Sequence, residues 1–353
     1  MYGRYCLTLM VTHRCNMRCG YCYNGEHIDR AMSLAVGRKA IERAVRSVEE
    51  GGRLVLGFFG GEPFLEAGLI LELMAYSRRA TEAAGMGLGF TATTNGTVTS
   101  ELAWSIMVDP QMDLAISLDG RGATHDVNRC FISGEGTSRK VLETIKKLQK
   151  AGKQFRVVTV VRPEGVGELD SELRFLRELG INEVELSLDV WSEWDGAAMA
   201  RLEKAIIDCG QLWSEELGEF RLNWFDDKAA LLAEGGLSLL SRCGFGKGEI
   251  AVSPAGNLYP CERLIGEDAA ENPMLMTGDV FSGEDFLLGA ARDNRTAEAC
   301  RECEIRSLCN TVCGCCNYAR TGSTGEPDGL LCMLNQWCLR EVQSILKDKI
   351  ISY

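Results

Sequence analysis

Ten of the sixteen cysteines stand in two ordered arrays. The first is Cys15-Asn16-Met17-Arg18-Cys19-Gly20-Tyr21-Cys22, a C-x3-C-x2-C run. The second opens at Cys243, passes through Gly256-x4-Cys261, continues as Cys300-x2-Cys303-x5-Cys309-x3-Cys313 and closes at Cys332. Thiolates separated by so few residues can wrap a loop around one metal centre, because closing each ring orders only a short stretch of chain. Three cysteines can hold three irons of a cubane cluster and leave the fourth iron open to a substrate or cofactor. A structural zinc site wants four ligands. No fourth Cys or His is placed locally for that role, and nearby His13 suits a loop or supporting position. The chemistry indicated is that of an iron–sulfur enzyme.

The rest of the composition narrows the class. In 353 residues there is room for one large α/β domain and a smaller one. No apolar run reaches the roughly 18 residues of a membrane span, and no basic segment with a small-residue cleavage site precedes the first array. The expectation is therefore a cytoplasmic chain with no membrane partner. Lys and Arg total 38 against 50 Asp and Glu, a formal charge of −12, which argues against nucleic acid as a partner. Sixteen cysteines in a chain of this size, with no export signal, point to metal or redox chemistry rather than to disulfides.

These arrays need elements to hold them. Short apolar segments at Tyr5–Thr12, Arg53–Phe59, Leu88–Thr93, Asp113–Leu118, Phe155–Val161 and Glu183–Leu188 read as buried parallel strands. Amphipathic stretches at Ser33–Glu50, Glu66–Ala84, Ser100–Met107, Ser138–Ala151 and Leu169–Leu179 alternate with them. Gly51, Gly85, Gly152 and Gly180 read as helix C-caps. Six βα units in series predict a parallel barrel or an open doubly wound sheet. The first array follows the first strand, on the functional face of a βα barrel. A helix near Ala197–Leu217 follows, then a Gly- and Cys-rich region over 240–332 where metal replaces core burial, then a closing helix at Leu334–Lys347.

Cys15-x3-Cys19-x-Tyr21-Cys22, with Gly60-Gly61-Glu62-Pro63 after the second predicted strand, closely resembles the radical S-adenosylmethionine (SAM) enzymes. The resemblance implies a partial (β/α)6 TIM-like barrel and a [4Fe–4S] cluster on Cys15, Cys19 and Cys22. It also implies SAM chelated by the open iron, and reductive cleavage of SAM to a 5′-deoxyadenosyl radical. Tyr21 would lie near the adenine, and Gly60, Gly61, Glu62 and Pro63 would receive the methionine amino group. Thr94-Asn95-Gly96-Thr97, Ser117-Leu118-Asp119-Gly120 and His125-Asp126-x2-Arg129 follow in the same order as in that family. By resemblance Ser117 and Arg129 bind the SAM carboxylate and Asn95 lies near the nucleoside. Arg121 stands where relatives often have proline.

The second array resembles the SPASM extension of the same family, which holds two auxiliary [4Fe–4S] clusters and brings the total to three. Cys300, Cys303, Cys309 and Cys332 would complete one, and Cys243, Cys261 and Cys313 most of the other. Some relatives place a further ligand six residues before the first SPASM cysteine, where this chain has Leu237. Either Cys315 or Cys316 substitutes, or one iron is open to a substrate thiolate. A zinc ribbon is the competing reading. Glu262 follows Cys261 where sulfatase-maturating relatives have an Asp proposed to accept a proton, so Glu262 is the candidate catalytic base; a structural ion pair with Arg263 is the alternative. Cys6, Cys130, Cys209 and Cys338 read as core.

The expected domains are a barrel over 1–195, a helical bridge over 196–239, a SPASM domain over 240–340 and a terminal helix end over 341–353. The expected activity is oxidative modification of a ribosomally made peptide, most specifically a thioether or carbon–carbon cross-link. Its first rival is formylglycine formation from Cys or Ser, as in anaerobic sulfatase-maturating enzymes. A rival of another class is a non-catalytic iron–sulfur electron carrier or zinc-structured binding protein. The expected partners are a peptide or protein substrate and an electron donor such as flavodoxin or ferredoxin. No leader-binding domain is seen ahead of the barrel, so a separate leader-peptide-binding protein or direct recognition is expected.

Overall fold

The computed structural model describes residues 1–236, 243–288, 298–309 and 313–351. Leu237, the position where some relatives have a further ligand, lies outside them. The strands are β1 (Tyr2–Thr12), β2 (Met17–Cys19), β3 (Val48–Gly60), β4 (Gly87–Thr94), β5 (Met112–Ser117), β6 (Arg129–Phe131), β7 (Arg156–Val161), β8 (Glu183–Leu188), β9 (Arg221–Leu222), β10 (Glu249–Val252) and β11 (Leu258–Tyr259). The chain divides into two compact units. Among the described residues, 1–117, 126–155 and 244–288 form the first, and the others the second.

In the first unit β10, β1, β3, β4 and β5 run parallel in that order, and β11 closes the edge antiparallel to β10. β1 is central, paired on both sides, and Leu7, Leu9, Met10 and Val11 are fully buried. Burial on both faces is why such strands read as apolar runs without alternation. The hairpin β10–β11 comes from the Gly- and Cys-rich region, yet it extends this sheet: Cys6 pairs with Glu249 and Leu9 with Val252.

Helices return the chain between strands, started by local caps. Ser33 accepts from the Val36 amide at 3.2 Å ahead of Leu34–Ser47, and Ser100 from the Ala103 amide at 3.2 Å ahead of Glu101–Met107. Each such cap contributes about 1 kcal/mol. Gly85 and Gly152 follow the ends of Ala67–Ala83 and Ser138–Lys150 with φ of 64° and 68°, as helix-terminating glycines do.

Gly51 does not cap a helix. The helix ends at Ser47, Val48 is already extended, and β3 begins there. With φ of 76°, Gly51 instead turns the start of β3, where the β1–β3 register shifts between Tyr2 and Arg4. Polar Glu49 and Glu50 lie in the strand because their side chains are exposed there. β2 and β6, too short for apolar periodicity to mark, pair antiparallel as a ribbon.

In the second unit β7, β8 and β9 are parallel. The helix Gly196–Glu215, capped by Asp195 on the Ala198 amide at 2.7 Å, packs with the long helix Gly329–Ile351. Cys209 and Cys338 are buried there, as core thiols. Cys6, in β1, and Cys130, in β6, are only half-buried, short of the core positions expected of them. The closing helix begins earlier than its apolar periodicity suggested, so Cys332 falls in its first turn rather than before it.

Candidate active site

The site is built where β1, β3 and β4 end in the first unit. β1 stops at Thr12, and the next residues carry the first cysteine array. β3 must cross this stretch at close range. A Cβ on Gly60 would lie 2.5 Å from the Thr12 carbonyl oxygen, and one on Gly61 would lie 2.4 Å from that of Arg14. Only glycine permits the approach. The Gly61 and Glu62 amides then donate to the Thr12 and Arg14 carbonyls at 3.0 and 2.9 Å, fixing the base of the cysteine loop. Asn24 Nδ2 donates to the Gly60 carbonyl at 3.0 Å from the other end of the loop.

Glu62 is fully buried and clamps strand ends together. Its Oε1 accepts from Thr94 Oγ1 at 2.8 Å and the Phe64 amide at 3.0 Å, and its Oε2 from the Asn95 amide at 2.8 Å. Burial raises its carboxyl to about 7, opposed by those three donors. Pro63 starts the one-turn helix Pro63–Glu66. Asn95 continues the chain of contacts: its Nδ2 donates to Asn16 Oδ1 at 2.9 Å and lies 3.9 Å from Cys15 Sγ. Its Oδ1 accepts from the Thr97 amide and hydroxyl at 2.9 and 2.7 Å. Ser117 closes β5 abreast of Asn95, since Thr94 pairs with Ile116, and is buried.

The far side of the loop is held by the ribbon. Cys19 pairs with Arg129 across β2 and β6, and the Gly20 amide donates to the Asn128 carbonyl at 2.9 Å. Arg129 is buried, with its guanidinium 5.1 Å from the centre of the Tyr21 ring. Thus Cys15, Asn95, Tyr21 and Arg129, predicted from separated motifs, are joined through one loop. Cys15 and Cys19 are half-buried and Cys22 is exposed. Burial pushes the Cys15 thiol up to about 12.

Among the neighbours of the loop, His27 and Tyr23 escaped the sequence reading. His27 Nε2 lies 3.7 Å from Cys22 Sγ, and burial depresses its pKa. His13 is buried, neither ring nitrogen has a hydrogen-bond partner among the described residues, and burial lowers its pKa. Tyr23 stacks on Phe59, with ring centres 6.4 Å apart, and the Arg263 guanidinium lies 5.2 Å from its ring centre. Tyr23 directly follows the third cysteine, the one signal that could have marked it. Glu262 and Cys261 are close enough to raise the Tyr23 pKa, after burial itself. Glu262 is half-buried, its Oε2 3.7 Å from Cys261 Sγ.

In the second unit, Cys300, Cys303, Cys309 and Cys332 are gathered. Burial and then the charges of Cys300 and Cys309 push Cys332 up to about 11, with Cys303 also contributing. Lys228 is buried beside them, donating to the Leu308 carbonyl at 2.9 Å and to Asn335 Oδ1. Cys313 caps the helix Gly314–Thr321. Cys243 belongs to this unit and Cys261 to the first.

Residues 9–176 match the Radical SAM superfamily. Those residues form a radical SAM domain. Such a domain implies a [4Fe–4S] cluster and SAM, and the residues fit. The three loop cysteines are thiols outside any disulfide, soft donors suited to iron, presented by a loop fixed at its base and on one flank. The chain is 26% identical over 329 residues to the mycofactocin maturase MftC of Mycolicibacterium smegmatis, covering 87% of this chain and 77% of that protein. It is 22% identical over 344 residues to a cysteine-type anaerobic sulfatase-maturating enzyme of Clostridium perfringens, covering 92% and 90%. Its α/β fold is shared with native anSMEcpe, solved with bound AdoMet and Kp18Cys peptide, at TM-score 0.81 and 18% identity over 99% of this chain and 100% of that one. Streptococcus suis SuiB bound to precursor peptide SuiA matches at TM-score 0.64 and 17% identity, over 93% and 76%.

Proposed function

We propose that this enzyme oxidatively matures a ribosomally made peptide and leaves a cross-link, a thioether or a carbon–carbon bond, in the product. The observation that carries the peptide class is the alignment with a maturase over 87% of the chain. When bound, the clusters and SAM supply removal of a hydrogen atom from a substrate carbon and carry an electron away. Cys15, Cys19 and Cys22 would hold the cluster that meets SAM. Gly60, Gly61, Glu62, Pro63, Asn95, Ser117, Arg129 and Tyr21 would hold SAM, Arg129 supplying the cation for its carboxylate. The second array would hold two further clusters, Cys300, Cys303, Cys309 and Cys332 one of them, and Cys243, Cys261 and Cys313 contributing to the other.

Oxidation of the substrate releases a proton as the new bond forms. Glu262 would take it on a carboxylate oxygen. Its place beside Cys261 and its half-exposure support that role. The enzyme would work in the cytoplasm with flavodoxin or ferredoxin as electron donor, and with a separate protein or its own surface gripping the peptide leader. Glu262→Gln keeps the size of the side chain and removes the base. It should abolish peptide product while 5′-deoxyadenosine formation continues, both followed by chromatography. Undiminished product would refute the role.

A second reading is formylglycine formation from Cys or Ser. The similarity to a sulfatase-maturating enzyme over 92% of the chain favours it. It predicts an aldehyde in place of a cross-link.

A further inference from the structure

The helix Gly314–Thr321 starts on a turn crowded with thiols. Cys313 is its N-cap (φ −72°, ψ 106°), and Cys315 and Cys316 are its second and third residues. Side chains at the cap and at the third position lean together, the geometry a capping box uses. Here both carry sulfur, and Cys315 joins them: the three sulfur atoms lie within 4.8 Å of one another, with Cys313 Sγ and Cys315 Sγ 3.3 Å apart. A disulfide would bring two sulfurs to about 2 Å, and none of the three cysteines is in a disulfide.

The spacing distinguishes two kinds of metal centre. Thiolates bound about 2.3 Å from one tetrahedral ion stand about 3.8 Å from each other. Thiolates around a cubane cluster each cap a different iron at a different corner, and so stand further apart. The convergence of these three sulfurs matches one ion. We propose that Cys313, Cys315 and Cys316 together bind a single thiophilic metal ion, Zn2+ being the ion whose tetrahedral preference they suit. The positive end of the helix dipole favours the anionic ligands. Three protein ligands leave the fourth position for an outside donor. Cys313 can serve this ion and a cluster at once, because a thiolate sulfur can bridge two metals. The site goes beyond the proposed function and stands whether or not a cross-link is made.

Zinc, iron and acid-labile sulfide are to be counted in the enzyme purified anaerobically from zinc-containing medium, as wild type and as the Cys315→Ala/Cys316→Ala variant. A [4Fe–4S] cluster contributes iron and sulfide equally. The expected result is one metal atom per chain in excess of sulfide in the wild type, mostly zinc, lost in the double variant while iron and sulfide stay unchanged. Two results would overturn the proposal. One is metal equal to sulfide in the wild type, a count that needs no variant to fold. The other is a variant that loses iron and sulfide together, which would make these cysteines cluster ligands.

Discussion

Glu62 ties the ends of β3 and β4 together through an oxygen pair that accepts from Thr94, Asn95 and Phe64. Its folded pKa of about 7 lies above the ordinary 4.5. For an acid this sign means that the fold favours the protonated form. Its stabilisation is therefore present in full below about pH 4.5, declines as pH rises to about 7 and is level beyond. Relative to Glu62→Gln, the wild type should lose on the order of 3 kcal/mol across that window, measured by urea unfolding at successive pH values. A pH-independent difference would contradict the burial argument. At Arg129, truncation to Ala removes both the contact with Tyr21 and the cation proposed for the SAM carboxylate. SAM binding should weaken about tenfold, or 1.4 kcal/mol, by calorimetry, and unchanged affinity would remove Arg129 from that role. The cysteine arrays were legible because ligand spacing is local. The partners of Glu62 were not, since Thr94 and Asn95 lie more than thirty residues away and nothing in Gly60–Pro63 names them.

The loop that carries Cys15–Cys22 is rigid because backbone from β3 and the β2–β6 ribbon hold it. Gly61→Ala puts a methyl group 2.4 Å from the Arg14 carbonyl oxygen and must push the loop away. It should destabilise by about 1–3 kcal/mol in thermal or urea unfolding and release iron from a protein that still folds. Full iron retention would show that the close approach does not position the cysteines. Ser33→Ala is the matching control: loss of its cap should cost about 1 kcal/mol and leave SAM cleavage unchanged. The parallel strands and their helices could be foreseen from apolar runs and terminal glycines. Two details could not. Gly51 has the same local signal as a helix cap, and only pairing of Val48 with Tyr2 makes it a strand residue. The ribbon depends on Arg129 meeting Cys19, a contact across 110 residues that periodicity cannot register.

Across the whole chain, the order of motifs carried more information than any one of them. Asn95-Gly96 alone is a turn, and Ser117-x-Asp119-Gly120 alone a strand end. In sequence after a three-cysteine loop and Gly60-Gly61-Glu62-Pro63, they marked a radical SAM domain, and residues 9–176 match that superfamily. What bond is made depends on the substrate, which the chain does not encode. The most direct test is a mass spectrum of the candidate peptide encoded beside this gene, taken after anaerobic incubation with reconstituted enzyme, SAM and reductant. A loss of two hydrogens, with a blocked thiol if the bond is a thioether, is the predicted result. An aldehyde in place of a Cys or Ser side chain would contradict the cross-linking account and make this a formylglycine-generating enzyme.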